Sequence, residues 1–600
     1  MMTAAQPNIV TAFRASLAPA TVAFFYPDDR TLSYGQFDHW IQTVEGKLVE
    51  LGLKGARRVA VLMPRSPLGL ALFLATSSAN ICCPLSPRLK RAEYDRFFET
   101  TGAEVLVLGT ANADAVAAAQ ARCLTVLQVD EAADFTLALT TLARAELALG
   151  ERPRAATGYA LMLQTSGTTS KPKLVFLAHA QILATIGGIR DAFALRPDDI
   201  CLNLMPFQHA HGLVSAGLSS LMSGSSAVCL PNFSAEAFDI AFETFRPTWF
   251  TGSPAMHLTL LEYYGARDKR PANSRLRFLR SSSAPLPSAV IGQLEVLFAA
   301  PLIETYGLTE TATMVATNPL PPKRRKVGSV GVACSGAEIL VVTSDGQPAL
   351  PNSEGEILIR GPSVITHYGD APAADDDNFA NGWLKTGDIG HLDEDGYLYI
   401  TGRTKELIKR GGLSVYPTEV DNVLISLPSI ADAVTFSVPH DTLGEDVISA
   451  VTLADGASLD ERQLRTELFA RLSSYKVPSA IVALEAIPKS DTGKFVRRDI
   501  SSWFQRQLEL ARVPPRTALE RQLLELWYEV LGRGDLGVTD NVFLYGGDPL
   551  RADRVQDAVC KSGIAIKRGE FYKNPTVAEQ ARMVAALGVT ELAGGADAVL

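Results

Sequence analysis

Cysteine is scarce in this chain: seven in 600 residues, at Cys82, Cys83, Cys123, Cys201, Cys229, Cys334 and Cys560, with no C-x-x-C pair among them. That scatter supplies neither a zinc framework nor a disulfide scaffold, and it predicts a protein of the reducing cytoplasm. No apolar run approaches the roughly 20 residues that cross a bilayer. Met1 to Phe24 also lacks a basic start followed by an unbroken apolar core, so no membrane partner and no secretory leader are expected. Positive charge is in deficit. With 56 Lys and Arg against 65 Asp and Glu, and a formal charge of −9, no basic surplus exists to displace counterions, so no nucleic-acid partner is expected. Internal repeats at solenoid periods are absent as well. What is present is ordinary for a globular chain. The 47% hydrophobic and 20% charged shares exclude wholesale disorder. At about 150 residues per domain the length allows roughly four folding units.

Up to about Arg403 the sequence alternates short apolar or β-branched runs with longer helical patterns. Val59–Met63, Val105–Leu108 and Thr248–Thr251 read as buried strands, and Leu70–Ser78 and Val290–Phe298 as helices between them. The alternation predicts an α/β fold around largely parallel sheet. From Glu354 to Thr401 the texture changes to hairpins, with Asp393-Glu394-Asp395-Gly396 as a turn. Arg403 to Ser502 is a compact charged α+β segment. Val513-Pro514-Pro515-Arg516 belongs to a stiff linker. After it, Thr517 to Glu520 forms a capping box opening a helix whose apolar stripe is Leu519, Leu523, Leu526, Trp527, Val530 and Leu531. A second capping box, Thr576 to Glu579, opens the last helix.

The most informative stretch is Thr165-Ser166-Gly167-Thr168-Thr169-Ser170-Lys171-Pro172-Lys173. A strand pattern runs into hydroxyls, one glycine and two lysines, a set that offers backbone N–H groups, hydroxyl donors and positive charge to a polyphosphate. It is not a Walker A loop, because G-x-x-x-x-G-K-[ST] is absent.

This stretch resembles the phosphate-loop signature of the adenylate-forming superfamily, which includes acyl- and aryl-CoA synthetases, peptide-synthetase adenylation domains and luciferases. The resemblance continues in order along the chain. Met205-Pro-Phe-Gln-His209-Ala-His211-Gly212 is similar to the acyl-pocket motif. Glu304-Thr305-Tyr306-Gly307-Leu308-Thr309-Glu310-Thr311 is similar to the segment lining the nucleotide and holding Mg²⁺. Trp383 to Asp388 and Thr401 to Glu406 resemble the ribose-binding and hinge motifs, and Pro488 to Lys494 the C-terminal lysine loop. The resemblance implies a large multi-layer N-terminal adenylation domain (1–403) and a small α+β lid (404–510). It further implies a linker (511–516), an all-α four-helix carrier-like domain (517–590) and a flexible tail (591–600).

The implied reaction joins a carboxylate and ATP into an acyl-adenylate and pyrophosphate, then forms a thioester. Two anions meet at the α-phosphate, so the site must neutralise charge on phosphate oxygens. The resemblance assigns ATP binding to Thr165, Ser166, Gly167, Thr168, Thr169, Lys173, Ser283, Ala284, Pro285, Glu304, Thr305, Tyr306, Thr309, Asp388 and Arg403. Glu310 and Thr168 are the implied Mg²⁺ ligands, hard oxygens suited to that ion. Asp388 can accept both ribose hydroxyls. Lys494 is the implied catalytic residue, reaching between the substrate carboxylate and the α-phosphate. Lys405 is the implied hinge. Gly411 and Gly412 form the loop brought over the adenylate, where small residues suit close approach of a pantetheine chain. Ser170 and Leu174 depart from the pattern, standing where the family usually has glycine.

The acid side of the site is assigned to His209, His211, Gly252 and Gly307. Pro206 to Gly217 contains no Asp or Glu, so an α-amino acid, whose ammonium group needs a carboxylate partner, is disfavoured. His209-x-His211-Gly212 resembles acyl- and aryl-CoA synthetases. Thr248–His257, Arg280–Leu286 and Asn318–Pro322 are most similar to the oxalate–CoA ligase-like branch. His209 either gates the pocket, polarises the carboxylate or is a packed histidine; Arg280 either reads a second carboxylate or is a scaffold residue. The expected partners are a small carboxylic acid and a thiol, either CoA or the phosphopantetheine of a separate carrier protein.

Asp540-Asn541-Val542-Phe543-Leu544-Tyr545-Gly546-Gly547-Asp548-Pro549-Leu550 resembles a carrier-protein motif, with proline where the family has the serine that bears 4′-phosphopantetheine. Proline has no hydroxyl, so no phosphopantetheine of its own is expected at this position. It suits the first helical turn, so the fold should survive. The readings that follow are an active ligase with a vestigial carrier, a synthetase-type loading module with an inactive carrier, a docking or regulatory module, and a decayed nucleotide-binding scaffold. The retention of Lys173, Glu310, Asp388, Arg403 and Lys494 argues against decay.

Overall fold

A computed structural model describes residues 8–53, 55, 57–144, 158–165, 173–267, 270–271, 275–286, 288–369, 377–440, 443–487, 497, 500–501, 513–531, 534, 536–545, 549–561, 565–567 and 570–592. The chain divides into two compact units, Met1–Ile400 and Thr401–Leu600. No helix among the described residues is long and apolar enough to cross a membrane.

The first unit is built on two large sheets. In one, Ile200–Asn203, Trp249–Gly252, Phe278–Ser281 and Leu302–Tyr306 lie side by side in parallel, and Ser226–Cys229 pairs in parallel on the other side of Ile200–Asn203. These strands are short and almost wholly buried, as expected of parallel sheet covered on both faces. The second sheet has the order Leu137–Ala143, Thr125–Glu131, Val105–Leu108, Arg58–Leu62, Ile81–Leu85, Tyr159–Thr165, Lys173–Ala178. Helix Pro67–Ser77 is apolar on every side and is buried along its whole length, as a helix must be when it has no polar face. A smaller antiparallel sheet follows, in which Gly355–Arg360 pairs with Glu338–Val342 and with the long strand Trp383–Leu392. Gly396 N–H donates to Asp393 O, closing the expected turn, and the chain leaves this unit through Leu398–Arg403.

In the second unit, Gly444–Leu453 pairs antiparallel with Ile430–His440 over its full length and parallel with Ala480–Ala483. Helices Pro417–Ile425 and Glu461–Arg471 supply apolar residues to the same core. The C-terminal module has helices Ala518–Leu531, Pro549–Lys561, Glu570–Lys573 and Val577–Ala585. They enclose Leu519, Leu523, Trp527, Val555, Phe571 and Val584. Trp527 and Gln580 are both fully buried, and the indole N–H donates to Gln580 Oε1 at 2.7 Å, so the largest core side chain has its polar atom satisfied.

Thr576 and Glu579 form the capping box expected of them. At the first box, Glu520 N–H donates to Thr517 Oγ, but the Glu520 carboxylate accepts from Arg516 N–H, one residue earlier than the reciprocal bond requires. The module rests on the α+β part of its own unit. Phe469 packs against both cores, Asn541 Nδ2 donates to Ser479 O at 3.4 Å, and the guanidinium of the fully buried Arg465 lies over the Phe543 ring while donating to the same Ser479 carbonyl.

Candidate active site

The carboxyl ends of parallel strands in an open α/β sheet are where ligands bind, because loops there are free of the ladder and backbone groups point outward. Three predicted segments meet at such ends. Gly252 closes strand Trp249–Gly252, Ser283-Ala284-Pro285 follows strand Phe278–Ser281, and Tyr306-Gly307 ends strand Leu302–Tyr306. His211 ties two of them together. Its Nδ1 shares a 3.0 Å hydrogen bond with Ser283 Oγ, and its Nε2 a 2.6 Å bond with Thr251 Oγ. Both ring nitrogens are therefore occupied, and His211 is buried. The ring is held as a wall rather than left as a proton carrier.

Ser283 has φ of 82°, a left-handed conformation that costs a non-glycine residue roughly 1–2 kcal/mol. Ala284 and Pro285 beside it are exposed. His211 opens a π-helix, His211–Leu218, whose eight residues are all buried. Such wide turns are frequent at functional sites. Gly212 follows because a Cβ there would stand 2.4 Å from Pro206 O. His209 is half-buried one turn earlier, its carbonyl accepting from Leu213 N–H.

Gly307 has a similar constraint: an added Cβ would meet Thr313 O at 1.6 Å. Thr313 itself has φ of 121°, directly after Ala312 at 52°, and its hydroxyl bonds Ser215 Oγ at 2.6 Å in a buried pair. Gly307 is thus small to admit this strained loop. Gly252 differs, since a Cβ there would only reach ordinary contact with His257 and Met256 at 3.5 Å. Thr305 Oγ donates to Ser281 O, which links the second and third strand ends. Glu304 accepts from Gly328 N–H at 3.1 Å, and burial pushes its carboxyl up to about 7.

Asp388 lies on strand Trp383–Leu392, is 2% exposed, and accepts a 2.6 Å hydrogen bond from Tyr306 Oη. Its backbone N–H donates to Thr386 Oγ. Tyr306 and Asp388, assigned to the nucleotide separately, are brought into contact across 82 residues of sequence.

Thr165 and Lys173 are register partners at the ends of two antiparallel strands. Ser166, Gly167, Thr168 and Thr169, between them, lie outside the described residues. Lys173 Nζ donates to Asn378 Oδ1 at 2.5 Å and stands 4.3 Å from the Tyr368 ring centroid. Tyr368 Oη in turn donates to Glu310 Oε1 at 2.7 Å. Predicted phosphate and metal residues are therefore joined through an aromatic residue that no motif singled out. Thr309 opens the single turn Thr309–Thr311 that presents Glu310. Among the described residues no group of three or more His, Cys, Asp and Glu is placed to hold a metal ion.

In the second unit, Arg403 and Lys405 are exposed. Gly411 and Gly412, with φ of 57° and 83°, form the two-residue turn between Ile408–Arg410 and Leu413–Val415. Successive positive φ values match the twist of a hairpin. Arg410 anchors that hairpin: it is buried, pairs with Asp446 at 2.8 Å, and donates to Tyr475 O, Val477 O and Ser479 Oγ. Lys494 lies outside the described residues. Arg497, three positions on, bonds Glu406, Asp421 and Thr435 O.

This fold is that of the adenylate-forming enzymes. The AMP-binding enzyme family matches residues 12–368, its C-terminal domain matches 419–494, and the phosphopantetheine attachment site family matches 521–584. The chain belongs to the AMP-binding enzyme family and is an adenylate-forming acid–thiol ligase. It is 33% identical to an oxalate–CoA ligase of Arabidopsis thaliana, over 80% of this chain and 97% of the relative. It is 36% identical to a sulfoacetate–CoA ligase of Cupriavidus necator, over 56% and 66% of the two chains. The crystal structure of ATP-bound MatB from Rhodopseudomonas palustris superposes with a TM-score of 0.74 at 27% identity, covering 83% of this chain and 99% of that one.

Proposed function

We propose that this ligase activates a small, non-amino carboxylic acid with ATP and Mg²⁺, and passes the acyl group to CoA or to a carrier protein in trans. The observation that carries the reading is the wall at the strand ends. His211 is locked between Thr251 and Ser283, and the buried segment around it, from Pro206 to Gly217, contains no carboxylate to hold an ammonium group. The oxalate and sulfoacetate for which two relatives are named are small acids without an amino group, which agrees with that wall.

Tyr306 orients the Asp388 carboxylate, leaving an acceptor suited to ribose hydroxyls. Lys173 is held by Asn378 and Tyr368 at the mouth of the phosphate loop, and Glu310 by Tyr368. A single carboxylate fits Mg²⁺, which keeps several waters and takes further ligands from phosphate. Bound there, Mg²⁺ offsets charge on the phosphate oxygens. Lys494 serves the first half-reaction by bridging the acid and the α-phosphate. The turn at Gly411 and Gly412 serves the second, with Lys405 as the hinge between them.

The C-terminal module carries no arm at position 549, where proline offers no hydroxyl to phosphorylate. The thiol therefore comes from elsewhere, and the compartment is the cytoplasm. Pyrophosphate exchange across short dianionic, short neutral-tailed, aryl and fatty acids tests the reading. Exchange with a short acid and none with amino acids is expected. Measurable ATP binding without exchange for any acid would defeat it. Lys494→Ala should lower adenylation by about 10²-fold or more while added acyl-adenylate still reacts with CoA.

A further inference from the structure

Among the described residues, Arg280 is a buried side chain with every nitrogen of its charged group unpaired. It stands on strand Phe278–Ser281 between Thr251 and Ile303, and it is 0% exposed. Its Nε, Nη1 and Nη2 atoms all lack a hydrogen-bond partner. The Phe193 ring lies 5.8 Å from the guanidinium carbon, and among the described residues no carboxylate pairs with it. Burial pushes the guanidinium down to about 10. Trp249, on the neighbouring strand and the same sheet face, also has an indole N–H without an acceptor.

Buried donors without acceptors are rare because each costs its full desolvation, and an unpaired buried charge costs most. Two other buried arginines are largely satisfied: Arg410 has Asp446 and three further acceptors, and Arg465 has Glu461 and Ser479 O, with only Nη1 unpaired. Arg280 has none, and its place is informative. It shares a sheet row with Thr251, whose hydroxyl holds His211, and lies three residues before Ser283, which holds the other side of that ring. Three unpaired guanidinium donors and an unpaired indole N–H on one sheet face, beside the acid-binding wall, are complementary to an anion.

We propose that Arg280 receives a second anionic group, a carboxylate or sulfonate, on the acid being activated, so that the substrate class is a short acid with two acidic groups. The proposal rests on the reading of this site as one that activates a small carboxylic acid. A planar fork of N–H donors suits the two oxygens of such a group. A site built to satisfy buried donors rejects an analogue lacking the acceptor by up to about 10⁴-fold.

The test compares malonate with its monomethyl ester, of nearly equal shape but one charge fewer, by AMP release from the full-length protein. Wild type should favour malonate by at least about 10²-fold in kcat/KM. Arg280→Met should bring that ratio close to one, mainly through KM, and Arg280→Lys should restore part of it. An unchanged ratio in Arg280→Met, or a wild type indifferent to the second charge, would overturn the proposal; the wild-type ratio decides alone if Arg280→Met does not fold. Turnover of the ester without preference for malonate defeats the assignment to Arg280 but leaves acid activation standing. No turnover of any acid defeats both.

Discussion

The strand-end site and the C-terminal helical module are both well packed, yet they spend their polar groups differently. In the helical module the buried polar side chains serve the fold: Trp527 donates to Gln580, and Gln580 donates on to Asn574 O. At the strand ends several do not. Arg280, Trp249, Ser253, Ser281 and His257 each keep a buried polar atom without a partner, Glu304 holds its proton to about 7, and Ser283 and Thr313 sit in left-handed backbone. Strain and unmet hydrogen bonds collect where a ligand is to complete the structure. The difference separates a region whose buried polar atoms wait for partners from one whose buried polar groups pair with each other.

The largest effect that can break this comparison is on turnover. Asp388→Ala removes the acceptor that Tyr306 orients and, on the proposed reading, two charge-assisted bonds to ribose, each worth about 1.5–3 kcal/mol. Adenylation should fall by about 10²-fold or more, with the melting of the helical module unchanged. Activity within tenfold of wild type, measured by AMP release, would remove Asp388 from the nucleotide site.

Trp527→Ala acts on the other region. Deleting a fully buried tryptophan costs about 3–5 kcal/mol, enough to unfold a small module. Adenylation and transfer to free CoA should persist. A parallel loss of activity would mean that turnover depends on the module, whose contacts with Ser479 and Phe469 lie within its own unit.

How far the sequence revealed these regions follows from the range of the interactions. Strands, helices and the Thr576–Glu579 capping box were legible because period and cap chemistry are local, and the motifs at Thr165, His211, Glu304 and Asp388 because their residues are contiguous; at Thr517 only half of the expected box forms. Tyr368 and Asn378 were not legible. Each is a lone polar or aromatic residue, and its meaning lies in Glu310 and Lys173, 58 and 205 residues away. Arg410 and Asp446 meet only through pairing of distant strands. The status of Arg280 could not be read from sequence at all, since two buried arginines look alike until their acceptors are found.

A smaller effect distinguishes the regions by pH. The unfolded chain ionises Glu304 near 4.5, and the folded chain near 7. Between these values the folded state binds more protons than the unfolded one, so this group lowers stability as pH rises through that window. Thermal melts of Glu304→Gln should lose that part of the slope. A slope identical to wild type would mean that the carboxyl is not held protonated by its surroundings.

The smallest change in energy and the sharpest in chemistry is Pro549→Ser. Proline begins helix Pro549–Lys561, a first-turn position where its fixed φ is compatible with the helix and its missing N–H is not needed. Serine is also tolerated at a helix start, so the melting temperature should move by no more than the equivalent of about 1 kcal/mol. What changes is the hydroxyl. After incubation with CoA and a broad phosphopantetheinyl transferase, intact mass should show one added arm on the variant and none on the parent. An arm on the parent would place attachment elsewhere and remove the contrast between the two regions. A variant that stays folded but unmodified would show that more than the serine has been lost. The face carrying Asn541 and Phe543, seated on Ser479 and Arg465, would then be the first place to look.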